Sequence, residues 1–277
     1  MTTSATQIIA LFCDFENIAL GVKDAKYDGF QIQKIIERFL LKGNIVVKKA
    51  YCDWARYREY KSLMHEASFE LIEIPHLRQS GKNSADIRLV VDALDLCYTK
   101  QHVDTFVIIS GDSDFSPLVS KLRENNKRVV GVGVKNSTSD LLISNCDEFV
   151  FYDDLVRRKA SRQTAPPSKP STSKKSKKAV KVDESAKADE IINKKEAWML
   201  IAETYEALLQ DRGEGDKIWG SMVKEALKRR KPGFTESYYG YRSFGDLVED
   251  AGKNGHIGFT RDEKSGGYII TRGSKDK

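Results

Sequence analysis

A chain of 277 residues is long enough to bury one large core or two smaller ones. With 40% hydrophobic and 31% charged residues it reads as a soluble globular protein carrying a polar segment, and no apolar run reaches membrane-spanning length. The net charge is +6, yet residues 157–181 hold ten basic residues and no acidic one, so the basicity belongs to a segment and the remainder is near neutral.

Residues 1–7 are polar and lack the basic and apolar regions of a signal peptide, so a cytoplasmic location is expected. Cys13, Cys52, Cys97 and Cys146 are scattered beside apolar runs, without the paired spacing of a zinc site. They read as free, buried thiols.

Residues 8–12 form a short apolar run, the first expected strand, which stops at Cys13-Asp14-Phe15-Glu16-Asn17. A loop with Gly21, Asp28 and Gly29 is expected next. Ile32, Ile35, Ile36, Phe39 and Leu40 then recur at helical spacing until Gly43-Asn44. Residues 45–51 read as the second strand, 54–67 as a helix with Tyr57, Tyr60, Leu63 and Met64 inward, and 69–74 as the third strand, closed by Pro75. Residues 76–83 are a polar loop carrying Arg78 and Lys82. Ser84-Ala85-Asp86 opens a helix in which Ile87, Val90, Val91 and Leu94 supply an apolar stripe. Residues 105–109 are β-branched and apolar, a buried strand that ends in Ser110-Gly111-Asp112-Ser113-Asp114-Phe115. Pro117, Leu118, Val119 and Leu122 resume helical spacing. A fifth strand over 128–134, a short helix over 140–144 and a last strand over 148–151 complete the unit.

Strands alternating with helices predict a three-layer α/β domain on a parallel sheet. A strand order 3-2-1-4-5 sets the first and fourth strands side by side at the switch point, where ligands bind in open α/β sheets. Asp14 would then face Asp112 and Asp114 across one crevice. Taken alone, the Asp112 turn is explained by turn chemistry and Asp114 by helix capping. Asp86, likewise, complements a helix dipole. Acids converging from three segments need more than capping. Carboxylates without cysteine or histidine suit a hard divalent cation, magnesium or manganese. Asn17 is a polar partner for water or a phosphate oxygen. Glu16 alternates away from Asp14 if the strand continues, and Asp92 lies six residues past Asp86 on another helix face, so both rank lower. A site of this kind hydrolyses phosphodiesters, with Arg78 and Lys82 placed to hold phosphates. A haloacid-dehalogenase-type phosphatase would want aspartate at position 16, where this chain has Glu16.

Beyond a linker rich in Lys, Ser, Ala and Pro, expected to be disordered, periodicity returns from Lys194 through Leu208. A second helix runs through Trp219 to Leu227 and ends in Lys228-Arg229-Arg230-Lys231, a third centres on Phe244, Leu247 and Val248, and a hairpin follows. This predicts a small winged-helix-like α+β domain.

The motifs Asp14-Phe15-Glu16-Asn17, Ser84-Ala85-Asp86 with Val90-Val91-Asp92-Ala93-Leu94, and Ser110-Gly111-Asp112-Ser113-Asp114-Phe115 resemble the NYN domain of the PIN-like nuclease superfamily. The resemblance implies a metal-dependent ribonuclease over residues 7–155, with Asp14, Asp86, Asp112 and Asp114 binding Mg2+ or Mn2+ and Asn17 assisting. Residues 156–190 are the linker. Residues 191–273, through Trp219-Gly220-Ser221, Phe234-Thr235-Glu236 and Tyr239-Gly240-Tyr241-Arg242-Ser243-Phe244-Gly245-Asp246-Leu247, resemble an OST-HTH (LOTUS) domain. That resemblance implies RNA binding and, in some members, a protein partner. Lys228, Arg229, Arg230 and Lys231 would meet phosphates, and Tyr238, Tyr239 and Tyr241 would stack on bases. The expected function is metal-dependent RNA cleavage, with no membrane role. The alternative is a non-catalytic RNA-binding adaptor whose acidic crevice holds metal.

Overall fold

The computed structural model describes residues 6–74, 84–157, 184–212, 217–262 and 265–273. The chain divides after Arg158 into two compact units. In the first, strand β1 (Gln7–Asp14) leads into helices α1 (Phe15–Asp24) and α2 (Ile32–Leu40), then β2 (Gly43–Cys52), α3 (Arg58–Glu66) and β3 (Glu70–Glu73). Helix α4 (Ser84–Thr99), β4 (Thr105–Ile109), α5 (Ser116–Glu124), β5 (Arg128–Gly133), α6 (Asp140–Asn145), β6 (Glu148–Phe151) and α7 (Tyr152–Arg157) follow. The six strands are parallel in the order β3-β2-β1-β4-β5-β6. The expected order holds, with β1 beside β4.

Alternation along β1 divides the core in two. Ile9, Leu11 and Cys13 pack with Phe15, Ile18, Ile35 and Phe39 on one side of the sheet. Ala10 and Phe12 pack with Leu89, Ala93, Leu118 and Phe149 on the other. Every residue of β4 is buried, as its unbroken apolar run requires. All four cysteines are buried and free of disulfides.

Local departures from the expected elements have physical causes. Residues 15–24 are a helix rather than a loop. Phe15, Ile18 and Val22 form its buried face, but Gly21 interrupts the helical signal. A Cβ at Gly21 would stand 2.4 Å from Ser137 Oγ, so glycine is kept there for packing. Helix α3 starts at Arg58, because Trp54 is buried in the preceding loop with its ring 4.9 Å from Phe15. In α4 the core face is Leu89, Ala93 and Cys97, whereas Ile87 and Val91 of the apolar stripe are exposed.

At the amino edge of the sheet, Lys42, Arg38 and Arg128 converge on Glu148, with Arg128 Nη2 donating at 2.9 Å. Burial pushes this carboxyl up, but the hydrogen bonds and charges of Lys42 and Arg128 outweigh it and hold Glu148 below its ordinary range. Its ionised form is therefore favoured by folding. That contribution is present above the unfolded carboxylate value of about 4.5 and is lost as pH falls through the lower folded value. Glu148→Gln is expected to cost about 1–2 kcal/mol in denaturant unfolding near neutral pH and almost nothing at about pH 3. An equal cost at both pH values would refute the ion-pair account.

The second unit comprises α8 (Glu184–Arg212), β7 (Ile218–Trp219), α9 (Gly220–Arg230), α10 (Phe244–Lys253), β8 (Ile257–Arg261) and β9 (Tyr268–Arg272). Helix α8 begins inside the stretch expected to be linker. Three antiparallel strands run β7-β9-β8, so Trp219 belongs to a short strand ahead of the second helix, and the hairpin gains a third strand. Ile201, Val223, Leu247, Val248 and Ile270 lie in one core. Among the described residues, no helix is long and apolar enough to cross a membrane.

Candidate metal and active site

The β1/β4 register, which pairs Cys13 with Ile109, brings Asp14 and Ser110 together at the carboxyl edge of the sheet. Asp14 leaves the strand with extended backbone and caps α1, its Oδ1 accepting from Asn17 N at 3.4 Å. Its Oδ2 accepts from Ser110 Oγ at 3.0 Å. Asn17 returns the connection: its Oδ1 accepts from Gly111 N at 2.8 Å. Asp112 N in turn donates to Ser110 Oγ at 3.2 Å. Two strand ends are thus joined by side-chain bonds, and the carboxylates on them are held in fixed rotamers.

Asp112 Oδ1 accepts from Asp114 N at 2.9 Å and caps a single 3-10 turn, Ser113–Phe115, ahead of α5. The capping aspartate is Asp112, not Asp114, and Asp114 is exposed. The cap engages one oxygen of Asp112, and acceptor capacity remains on the carboxylate. Asp86, in the first turn of α4, comes in from a third segment.

The carboxylates act on one another. Asp14 is raised to about 7, first by burial and then by the charge of Asp86, with Asp112 adding to it, while the Ser110 and Asn17 hydrogen bonds pull the other way. Asp86 is raised to about 6 by burial and by Asp112, Asp114 and Glu16. Asp86 and Asp112 thus lie near enough to Asp14, and Asp112 and Asp114 near enough to Asp86, for their charges to act on it. Glu16 joins them, because the strand ends at Asp14 and strand alternation no longer applies to it. An aspartate directly ahead of the apolar positions Phe15, Ile18 and Val22, with Glu16 in the first turn, is a helix-start signature that would have revealed this. Ser110, which holds Asp14, is the other residue that sequence reasoning passed over. Asp92 lies in a separate structural network, accepting from Tyr51 Oη at 2.9 Å, Lys49 Nζ at 3.2 Å and Arg88 Nε at 3.0 Å.

The donor set is carboxylate only, which fits a hard divalent cation, and such a cation would relieve the repulsion that raises Asp14 and Asp86. Among the described residues no three acidic, cysteine or histidine side chains already form a ligating cage. Magnesium commonly binds through one or two carboxylates plus waters and substrate phosphate, so a closed cage is not required.

The repulsion has a measurable consequence. Asp86 binds its proton more tightly folded than unfolded, so its ionisation opposes folding. Stability is greatest below the unfolded value of 3.8 and falls as pH rises through about 6. Discounted for solvent screening of this partly buried group, Asp86→Asn is expected to stabilise the metal-free protein by about 1 kcal/mol at about pH 8, with no gain near pH 4. Urea unfolding at both pH values checks it; destabilisation at pH 8 would contradict the like-charge crevice.

A family model described as the NYN domain matches residues 8–153, a span that contains all six parallel strands and the four aspartates. The chain belongs to the NYN domain family. Its NYN unit is similar to "Meiosis regulator and mRNA stability factor 1" of Bos taurus, 24% identical over 148 residues, which cover 53% of this chain and 8% of that protein. It is also similar to an uncharacterized protein of Methanocaldococcus jannaschii, 27% identical over 162 residues, covering 54% of this chain and 60% of that one. The chain therefore spans less than two thirds of the length of these curated relatives. A crystal structure of a Vibrio parahaemolyticus protein of unknown function superposes with a TM-score of 0.49 at 27% identity, over 56% of this chain and 98% of that chain.

Of the residues expected to meet RNA, Arg78 and Lys82 lie outside the described residues. In the second unit Lys228, Arg229 and Arg230 form the last turn of α9 and Lys231 its C-cap, all exposed. Arg230 Nη1 donates to Thr204 Oγ1 at 3.3 Å and so also ties α9 to α8. Tyr239 and Tyr241 are core residues and do not present a stacking surface. The Tyr239 ring packs 5.3 Å from Phe234, and Tyr241 Oη donates to Asp250 Oδ2 at 2.6 Å and accepts from Trp198 Nε1 at 2.8 Å. A small domain uses its large aromatics to fill its core, and a buried tyrosine hydroxyl then needs partners.

Proposed function

We propose that the NYN unit hydrolyses RNA phosphodiester bonds, with a Mg2+ or Mn2+ ion held by Asp14, Asp86, Asp112 and Asp114. The observation that carries the reading is the approach of like-charged carboxylates from β1, α4 and the β4–α5 turn, which adds to burial in raising Asp14 and Asp86 toward neutral pH. A bound cation would supply charge neutralisation at a phosphoryl oxygen and a more acidic water. The chain's own part is positioning. Ser110 fixes Asp14, Asn17 fixes the Gly111 amide, and the 3-10 turn fixes Asp112. Arg78 and Lys82 are assigned to substrate phosphates.

The second unit is read as an OST-HTH module that binds RNA through Lys228, Arg229 and Lys231, joined to the nuclease by the basic segment over residues 157–181. Linking two RNA-binding elements raises the local concentration of substrate at the acidic crevice. One relative's name concerns mRNA stability, and a role in RNA turnover is extended to this chain as part of the proposal.

End-labelled single-stranded and hairpin RNAs, incubated with the protein and Mn2+ or Mg2+, should yield internal cuts that disappear in chelator. RNA binding without cleavage, by a preparation shown to bind Mn2+, would replace the nuclease reading with that of a non-catalytic adaptor.

A further inference from the structure

Helix α4 carries more apolar surface than the sheet covers. Its core face is Leu89, Ala93 and Cys97. A second stripe of Ile87, Val91 and Tyr98 lies well off that face and is 63%, 55% and 56% exposed, with Leu94, half-buried, bridging the two. Exposed side chains of this size in a row on one helix form an apolar strip that a partner could cover. Their flank carries charge of both signs: Arg88 and Asp95, seven residues apart and therefore on one side of the stripe. Arg88 reaches Asp92 at 3.0 Å, and Asp95 is exposed. A shallow depression between these residues is lined by Ser84, Ile87, Arg88, Val91, Asp92 and Asp95.

The order of these groups is self-complementary. Two copies of α4 laid antiparallel about a two-fold axis between residues 92 and 93 set Ile87 opposite the second copy's Tyr98 and Val91 opposite its Leu94. In an antiparallel pair, residues on one flank meet the same flank of the other copy, so each Arg88 lies on the side of the second copy's Asp95, two residues, or about 3 Å, along the axis and within reach of its long side chain. The Tyr98 ring of one copy is placed over the depression beside Ile87 and Val91 of the other. Each contact occurs twice by symmetry, as an isologous interface requires. An anionic polymer fits this surface poorly, because its centre is aliphatic and its rim holds two aspartates.

We infer that the exposed face of α4 is a homodimer interface, formed by antiparallel packing of α4 against α4 of a second copy, with Val91 and Leu94 at its centre, Ile87 against Tyr98 at each end and reciprocal Arg88–Asp95 pairs along its edge. One helix pair is a small interface, so the dimer is weak and concentration-dependent, with Kd of about 10–100 µM. The inference is independent of the nuclease reading.

Sedimentation velocity of the full chain from about 1 to about 200 µM should show monomer passing to dimer. Val91→Asp, at an exposed position, should leave the circular dichroism spectrum unchanged and give monomer throughout. Arg88→Asp and Asp95→Arg should each raise Kd by about tenfold through like-charge contact, and the double variant should recover most of the loss. A chain that stays monomeric over the whole range, a dimer that survives Val91→Asp, or a double variant as weak as the product of the single effects would each overturn the inference.

Discussion

Asp112→Asn is expected to reduce RNA cleavage by about a thousandfold or more, equivalent to about 4 kcal/mol of transition-state stabilisation. The substitution keeps the shape of the side chain and its Oδ1, which accepts from Asp114 N and caps the 3-10 turn. It removes one negative charge from a crevice in which that charge raises both Asp14 and Asp86. Folding stability at about pH 8 should therefore be unchanged or higher while activity falls, a separation that simple misfolding cannot produce. RNA affinity measured in chelator should stay within about twofold of the unsubstituted protein, because the phosphate contacts are assigned to basic side chains elsewhere. Steady-state cleavage, urea unfolding and fluorescence anisotropy on one preparation supply all three readouts. Activity lost together with stability would move Asp112 from the site to the scaffold.

Gly111→Ala should be nearly as damaging, by a different route. The Gly111 amide donates to Asn17 Oδ1 at 2.8 Å, and its carbonyl accepts from Ser139 N at 2.9 Å. A Cβ at this position would stand 2.5 Å from the Ser137 carbonyl oxygen and 3.0 Å from Thr138 Cα. Both obstacles are backbone, so neither can rotate away. The turn after β4 must shift instead, and it carries Asp112. Overpacking of this kind costs about 1–3 kcal/mol of stability. A displacement of about 1 Å at a catalytic group lowers turnover about a hundredfold. Lower turnover with Mn2+ affinity weakened in parallel is the expected pattern. Wild-type turnover would show that the turn tolerates the methyl group and that the close approach does not position Asp112.

The parallel sheet and its strand order were legible because the central strands β1, β4 and β5 are largely buried and read as apolar runs, β4 above all. Asp14 and Asp112 could be placed because each stands at or just past the end of an apolar strand, and Asp86 because Ser84-Ala85-Asp86 opens a helix. Helix α1 was hidden by a glycine kept for close packing against Ser137, and with it went the place of Glu16. The exposed stripe on α4 was visible as apolar spacing, but spacing does not say which of two apolar faces meets the sheet; the core chose Leu89, Ala93 and Cys97. Tyr239 and Tyr241 misled because aromatics beside basic residues look alike whether they fill a core or meet a base. Only burial, with the Trp198 and Asp250 bonds to Tyr241, separates the two. Ser110 was one hydroxyl among several in its turn, and its bond to Asp14 depends on strand register, which links residues 96 positions apart.

The proposed role of Asp14, Asp86, Asp112 and Asp114 is to hold the cation of a phosphodiesterase site. The most direct measurement is the single-turnover rate of RNA cleavage as Mn2+ is titrated from chelator upward, for the unsubstituted protein and for Asp112→Asn side by side. The account predicts no cleavage in chelator, a rate that rises and saturates with Mn2+ in the unsubstituted protein, and a flat, near-zero line for Asp112→Asn. Cleavage that persists in chelator, or that Asp112→Asn carries out at the unsubstituted rate, would contradict it.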